Sequence, residues 1–288
     1  MTAYSFTDLR IKSMQIKGER PVIVILSGAG LSAESGIPTY RNADNNWNRT
    51  DSMDSGDMKH RPQLVFDSIN RRIEAYDQAK PNAAHLSIAE FKKKWRNKAD
   101  IITQNIDTLC EEAGDVGVFH LHGSFLTSRC TECGATFPRL GLYKEGNVCP
   151  ACKASGWSVR TDVVLFGERP HGLDWIPGVL RRADVFVAVG TSGMVYPAAG
   201  FVTEARRRNC RTRLLIAKDA PLDGFQPLST ENDSVGHFTK FVRGNATTVL
   251  PAVLETLGHW IEKVTQAQAT ETVATAARDN EQPDGSAS

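Results

Sequence analysis

At 288 residues and 31.6 kDa the chain can bury one large domain, or one large and one small. Its 41% hydrophobic and 23% charged residues are those of an ordinary soluble globule, and 34 basic against 33 acidic side chains leave a net charge of +1, so the overall balance points to neither nucleic acid nor a membrane as partner. No apolar run approaches the ~18 residues needed to span a bilayer, and the N-terminus lacks a secretory apolar stretch, so the expectation is a cytoplasmic protein without membrane contact.

The first strong signal is PVIVIL (21–26), a continuous apolar run of strand length, followed by SGAGLSAESGIP (27–38). Three glycines fall within nine positions there, with Ala33 at the third glycine of a G-x-G-x-x-G pattern. The stretch reads either as a tight turn or as a strand–loop–helix unit in which Gly28 turns the chain and Gly30 admits a pyrophosphate. Residues 42–61 are rich in Asn, Asp and Ser and read as a long binding loop. Residues 62–78 read as an amphipathic helix with Leu64, Val65, Ile69 and Ile73 inward, and 84–96 as another helix.

A strand at 100–103 runs into TQNIDTLCEEAG (103–114), placing Gln104, Asn105 and Asp107 where open α/β sheets bind ligands; helix capping is the plainer account of the same residues. Next comes VFHLHGSF, in which His120 and His122 share a face if the stretch is a strand; His122 is a structural histidine or a general base. Further strand-like runs lie at 162–166, 184–189 and 213–217, with helices at 198–208 and 247–263. Strands alternating with helices predict a doubly wound α/β fold, a mostly parallel Rossmann-like sheet with a smaller inserted zinc-ribbon and helical domain. The large domain is expected to comprise 1–42, 84–125 and 162–263, the small one 43–83 and 126–161, and residues 264–288 a disordered tail.

Six cysteines are present, four of them as CTEC and CPAC separated by 15 residues, from Gly134 to Val148. That is zinc-ribbon spacing: Cys130, Cys133, Cys149 and Cys152 offer four thiolates, which complete a tetrahedral shell and leave no position for water. The expected zinc is therefore structural, and the cysteine usage suits a reducing compartment.

GAGLSAESGIP, TQNIDTL, HGS at 122–124, the paired C-x-x-C, VVLFGERP at 163–170 and GTSGMVYPA at 190–198 follow one another in the order seen in sirtuins. From about residue 19 to residue 260 the chain resembles that family, the NAD-dependent protein lysine deacylases. SAESGIPTYR and PNAAHL look most like the bacterial group whose eukaryotic relatives remove acidic acyl groups.

The resemblance implies that NAD is consumed as co-substrate and contacts Gly28, Ala29, Gly30, Ser32, Glu34 and Tyr40, with Arg41 and Trp47 on a mobile loop. Gln104, Asn105, Ile106 and Asp107 would line the nicotinamide and ribose pocket, and Gly190, Thr191, Ser192 and Ala246 the adenosine side. His122 would be the catalytic base, assisted by Asn105. Nicotinamide would leave the ribose, the acyl oxygen would attack the same carbon, and His122 would deprotonate the ribose hydroxyl that completes acyl transfer, giving free lysine and O-acyl-ADP-ribose. An acyl-lysine protein substrate would bind as an added strand between Phe166, Gly167, Glu168 and the segment Gly193 to Tyr196, which includes Val195. The chain is expected to act as a monomer. An ADP-ribosyltransferase or NAD hydrolase on the same scaffold is the competing activity.

Several positions depart from the family pattern. Thr39-Tyr40 stands for Asp-Phe, Cys110 for a histidine, and Ala217 for an asparagine that contacts the adenosine ribose. Relatives that remove succinyl groups carry Tyr and Arg three apart before PNAAHL; an ungapped count puts Asp67 and Asn70 there, with Arg71 one residue on. Asp67 and Asn70 are thus the expected acyl-contacting residues, and their chemistry favours acetyl over succinyl groups.

Overall fold

The computed structural model describes residues 4–5, 7–11, 16–18, 20–40, 53–95, 99–191, 195–218 and 237–280. Six parallel strands form one sheet in the order β3 (Val118–His120), β2 (Ala99–Thr103), β1 (Ile23–Ser27), β7 (Val185–Val189), β8 (Thr212–Ala217), β9 (Lys240–Arg243). All five residues of β1 and of β7 are buried, which is why both read as unbroken apolar runs. Their alternation still decides which layer each side chain enters. Ile23 and Ile25 join the layer under α3 (Ala83–Lys94) and α7 (Ala246–Asn280), whereas Val24 and Leu26 join the one under α5 (Ile176–Arg182) and α6 (Phe201–Arg207).

A second unit packs α1 (Ser55–His60) and α2 (Pro62–Gln78) against an antiparallel sheet of β5 (Thr136–Pro138), β4 (Gly123–Cys130) and β6 (Val159–Val163). Its core includes Phe66, Ile69, Tyr76, Phe125 and Tyr143. Here the structure corrects the expectation that 162–166 belongs to the parallel sheet. The strand is β6, it ends at Val163, and it pairs antiparallel with β4, so its buried Arg160 and Thr161 are polar residues of the small unit. The conditional strand reading of VFHLHGSF is met by β3, whereas β9 was not anticipated; KFVR has too little apolar content to announce itself.

Two other expectations change. The polar segment 42–61 holds α1, capped by the Asp54 carboxylate, which accepts from Gly56 N at 2.7 Å and Asp57 N at 3.3 Å; residues 41–52 lie outside the described ones. The tail expected from 264 is helical to Asn280 as the continuation of α7, because Ala, Gln and Glu are good helix formers even without burial; residues 281–288 lie outside the described ones.

The strand order reverses between β1 and β7, so beyond their first residues the two connections leave toward opposite faces of the sheet and a crevice opens at the C-terminal edge. Those loops meet backbone to backbone. Gly30 N donates to Gly190 O at 2.8 Å, and a Cβ added at Gly30 would sit 2.8 Å from Gly190 Cα. A Cβ on Gly28 would meet Gly190 O at 2.9 Å, and Gly190 itself has φ +63°. The glycines of the opening motif are therefore required first by the neighbouring loop.

β3 is held in place by a buried ion pair between Lys92 of α3 and Asp115, in the turn after α4 (Leu109–Glu112). The pair ties α3 to the turn that launches His120 and His122. Lys92→Ala would strand the Asp115 carboxylate, and the expected loss is about 3–5 kcal/mol of unfolding free energy in urea denaturation. A loss under about 1 kcal/mol would show that water reaches Asp115 and screens it.

Candidate active site

The crevice at the switch point widens into a cavity of about 320 Å³ between the two units. Ala29, Gly30, Tyr40, Gln104, Asn105, Ile106, His122, Gly190 and Thr191 line it on the side of the large sheet. Phe166, Gly167, Glu168, Val195 and Tyr196 line the other side. Ser32 and Asp107 border a narrower recess that shares Ala29, Tyr40, Asn105 and Ile106. Arg41, Trp47, Ser192 and Gly193 lie outside the described residues.

Asn105 is fixed from three directions. Its N–H donates to Thr103 Oγ1 at 3.0 Å, its carbonyl accepts from His120 Nδ1 at 2.8 Å, and its side-chain amide donates to Ser32 Oγ at 3.0 Å. Ser32 Oγ also lies 3.2 Å from Nε2 of the fully buried His85. Since His85 Nδ1 accepts from Asn82 N–H at 3.2 Å, Nε2 must carry the ring proton and donate to Ser32. Burial pushes the His85 pKa down to about 4 and keeps the ring neutral, as this chain of bonds requires. Asn82 completes the box by capping α3 and by donating to Leu31 O at 2.9 Å. PNAAHL thus braces the glycine loop and, through Ser32, the cavity; sequence reading missed His85 and Asn82, although their capping-box spacing was visible.

Burial raises the Asp107 pKa, with hydrogen bonds from Leu109 N–H and Ser32 opposing the shift. His120 is oriented oppositely. Burial disfavours its charge, but the Glu111 carboxylate at 2.7 Å outweighs that and raises its pKa, and both ring nitrogens face oxygen atoms. His122 differs again. Its Nδ1 lies 3.0 Å from the Gln104 carbonyl, which can only accept, so Nδ1 holds the proton and Nε2 keeps a free lone pair. Burial, joined by the nearby His171, lowers the His122 pKa.

Several expected contacts are placed elsewhere. Glu34 accepts from Asn245 Nδ2 at 2.9 Å and Thr247 Oγ1 at 2.6 Å, tying the glycine loop to the start of α7, and neither it nor the buried Ala246 lines the cavity. Asp67 and Asn70 do not line the cavity either. Asp67 is on the exposed face of α2 and accepts from Gln63 at 2.7 Å; Asn70 bonds both backbone groups of Tyr143, at 2.7 and 2.8 Å. Helical phase decides this: α2 buries 65, 66, 68, 69, 72, 73 and 76, so it is Arg72 that turns toward the recess. Its guanidinium lies 3.8 Å from the Tyr40 ring centroid and donates to Pro38 O at 3.0 Å. Phe166 faces the cavity, yet its N–H and C=O already pair with Met53 O at 2.7 Å and Ser55 N at 2.9 Å. The Glu168 carboxylate is held by the buried Arg160 at 2.6 Å and by Leu165 N at 2.9 Å. Thr39, Met53, Val164, Leu165 and Pro170 line the cavity without having been singled out.

The Sγ atoms of Cys130, Cys133, Cys149 and Cys152 gather within 4.8 Å of one another. Two matching knuckles bring them there. Cys130 N bonds Ala135 O and Gly134 N bonds Cys130 O, and the same pattern repeats from Cys149 to Ala154 with Lys153 in place of Gly134. Gly134 and Lys153 both take positive φ, 73° and 64°. Sγ separations of 3.7 Å (Cys130–Cys152) and 3.8 Å (Cys133–Cys149) equal the edge of about 3.8 Å for a tetrahedron with Zn–S of about 2.3 Å. The four cysteines fit one structural zinc.

Residues 28–197 match the model of the Sir2 family. The chain is 39% identical over 244 residues to an NAD-dependent protein deacylase of Caulobacter vibrioides, covering 82% of this chain and 96% of that one. The chain belongs to the Sir2 family. Among solved Sir2 structures, it resembles a Sir2 homologue–NAD complex with TM-score 0.69 and 30% identity, covering 93% of this chain and 97% of the other. It also resembles a Sir2–p53 peptide–NAD+ complex with TM-score 0.69 and 25% identity, covering 90% and 99%.

Metal analysis of this Sir2 protein is expected to find one zinc per chain. Cys130→Ala should lose metal and fold together, read by metal content and circular dichroism, because ribbon folding and zinc binding are coupled. Zinc-free protein with an intact fold would overturn the assignment.

Proposed function

We propose that this chain is an NAD-dependent protein lysine deacylase in which His122 is the general base. The observation that carries the reading is the His122 ring, with Nδ1–H donated to the Gln104 carbonyl and Nε2 left as a neutral acceptor beside the cavity. Bound NAD supplies a ribose carbon that nicotinamide vacates and that the acyl oxygen attacks.

The residues that would hold NAD suit a dinucleotide. Ala29 and Gly30 offer backbone at a 3-10 turn, favourable for pyrophosphate, and Gln104, Asn105 and Thr191 offer amides and a hydroxyl for ribose and carboxamide. Gln104 is aimed by its bond to Thr191 Oγ1 at 3.1 Å. His122 Nε2 then takes the ribose hydroxyl proton, and the Ser32–Asn105 bond keeps the amide in place while this happens. Since Phe166 is already paired, strand addition by the acyl-lysine substrate falls to Gly167 on one side and to Val195–Tyr196 on the other. A cytoplasmic setting agrees with six cysteines that form no disulfide and with the absence, among the described residues, of a helix long and apolar enough to cross a membrane.

A general base works only when neutral, and His122 charges only below a pKa already lower than 6.5. Deacetylation kcat/KM should therefore fall on the acid side, with a midpoint below about 6.5, and stay flat through neutral pH. His122→Ala should keep its melting temperature and lose about a hundredfold or more in turnover. Near-native turnover by the folded variant would transfer the role to another residue.

Acyl preference follows from the lining. Among the described cavity residues the only charged one is Glu168, an anion already engaged by Arg160, and no cation faces the acyl group. A succinyl carboxylate would be desolvated without a partner. Acetyl-lysine is expected to exceed succinyl-lysine in kcat/KM by at least about tenfold, or 1.4 kcal/mol. Equal turnover of the two peptides measured side by side would refute this.

A further inference from the structure

Basic and acidic residues balance over the whole chain, but not locally. α5 and α6 each return the chain to the edge where the parallel strands begin, ending at Arg182 and Arg207, and β8 starts there at Thr212. This is the end of the sheet opposite the cavity, about 17 Å away along a five-residue strand. Arg181, Arg182, Arg206, Arg207 and Arg211 are all exposed at this end. What joins the two helix ends is another cation: Lys17 Nζ donates to the carbonyls of Arg181, Ala183 and Arg208 at 3.2, 2.8 and 2.7 Å.

Among the described residues, the carboxylates nearby are committed. Asp184 accepts the backbone N–H groups of Lys17 and Val22, both at 2.9 Å, and Glu204 pairs with Arg208 at 2.8 Å. None of the five exposed arginines has an ion-pair partner among the described residues. The crowding is felt by His237, which accepts from Arg206 at 2.8 Å; burial lowers its pKa, and Arg206, Arg213 and Arg207 lower it further. A recess of about 170 Å³ opens between Lys17, Asn209 and Arg211, with Asp184 in its wall.

Basic residues in the last turn of a helix stabilise it through the macrodipole, which accounts for the arginines of α5 and α6 but not for Arg211 beyond α6. We propose that this end of the sheet docks the sugar-phosphate backbone of a nucleic-acid duplex. Arginine forks suit phosphate oxygens, and several unpaired forks spread over two helix ends and a loop match a ligand whose charges repeat. The described residues of α5, α6 and the loop to β8 expose no aromatic ring on which unpaired bases could stack, which favours a duplex read through its backbone and not a single strand. Docking there leaves the cavity open to acyl-lysine proteins carried on the same nucleic acid.

The test is a fluorescence-anisotropy titration of the full chain with a mixed-sequence DNA duplex of about 20 base pairs, at about 50 and 200 mM salt. Expected are binding at the lower salt and a loss of roughly 10²- to 10³-fold at the higher, as four or five neutralised phosphates require. Arg181→Ala/Arg207→Ala/Arg211→Ala, whose side chains make no hydrogen bond among the described residues, should keep the melting temperature and acetyl-peptide turnover. Its log-log salt slope should drop by about 3. No binding at about 50 mM salt, binding unchanged in the triple variant, or equal competition by a polyglutamate of the same charge would each overturn the proposal.

Discussion

The packing constraint on which the cavity depends is the contact of two loops at the point where the sheet changes direction. Gly28 and Gly30 after β1 lie against Gly190 after β7, near enough that a single methyl on any of the three would strike backbone. Because the loops touch through backbone, their amides and small side chains form the floor of the cavity, and larger groups must come from elements farther out. Gln104 and Asn105 arrive from β2, His122 from the turn after β3, and Phe166 to Glu168 from the strand that closes the small unit.

A hydrogen-bond chain then converts that floor into a defined site. Asn82 holds His85, His85 holds Ser32, and Ser32 holds the amide of Asn105. Every donor along it is determined once the ring protons of His85 are assigned, and burial assigns them by keeping the ring neutral. The pKa values of His120 and His122, two residues apart, are pushed in opposite directions by what they face: a carboxylate in one case, burial beside a carbonyl in the other. Two histidines of opposite pKa shift therefore sit side by side, one lining the cavity and one bonded to the Asn105 backbone carbonyl.

Buried cations follow one rule throughout. Lys92 meets Asp115, Arg160 meets Glu168 and the Val163 carbonyl, and Arg72 meets the Tyr40 ring and the Pro38 carbonyl. Each is spent on architecture, so the cavity keeps an apolar character with scattered neutral polar groups. Five exposed arginines with no ion-pair partner among the described residues are instead gathered at the far end of the sheet, where solvent screens their mutual repulsion.

What the sequence determined by itself was whatever rests on local pattern. Continuous apolar runs marked β1 and β7, the 3.6-residue period marked α2 at its observed bounds, and the cysteine spacing marked both knuckles, since each of these is a property of neighbours along the chain. The motif order was enough to identify the family, and Gly30, Gln104, Asn105, His122 and Gly190, which those motifs contain, line the cavity. Tertiary structure decided the rest, because it depends on which distant groups meet. Helical phase against the small unit sent Asn70 to Tyr143 and Arg72 to Tyr40, which no count back from Pro81 could reveal. Pairing with β4 took β6 away from the parallel sheet, and docking on the start of α7 drew Glu34 away from the cavity. The charge states of His85, His120 and His122 were likewise unreadable in sequence, since a histidine's proton is governed by burial and by the acceptors that folding places around it.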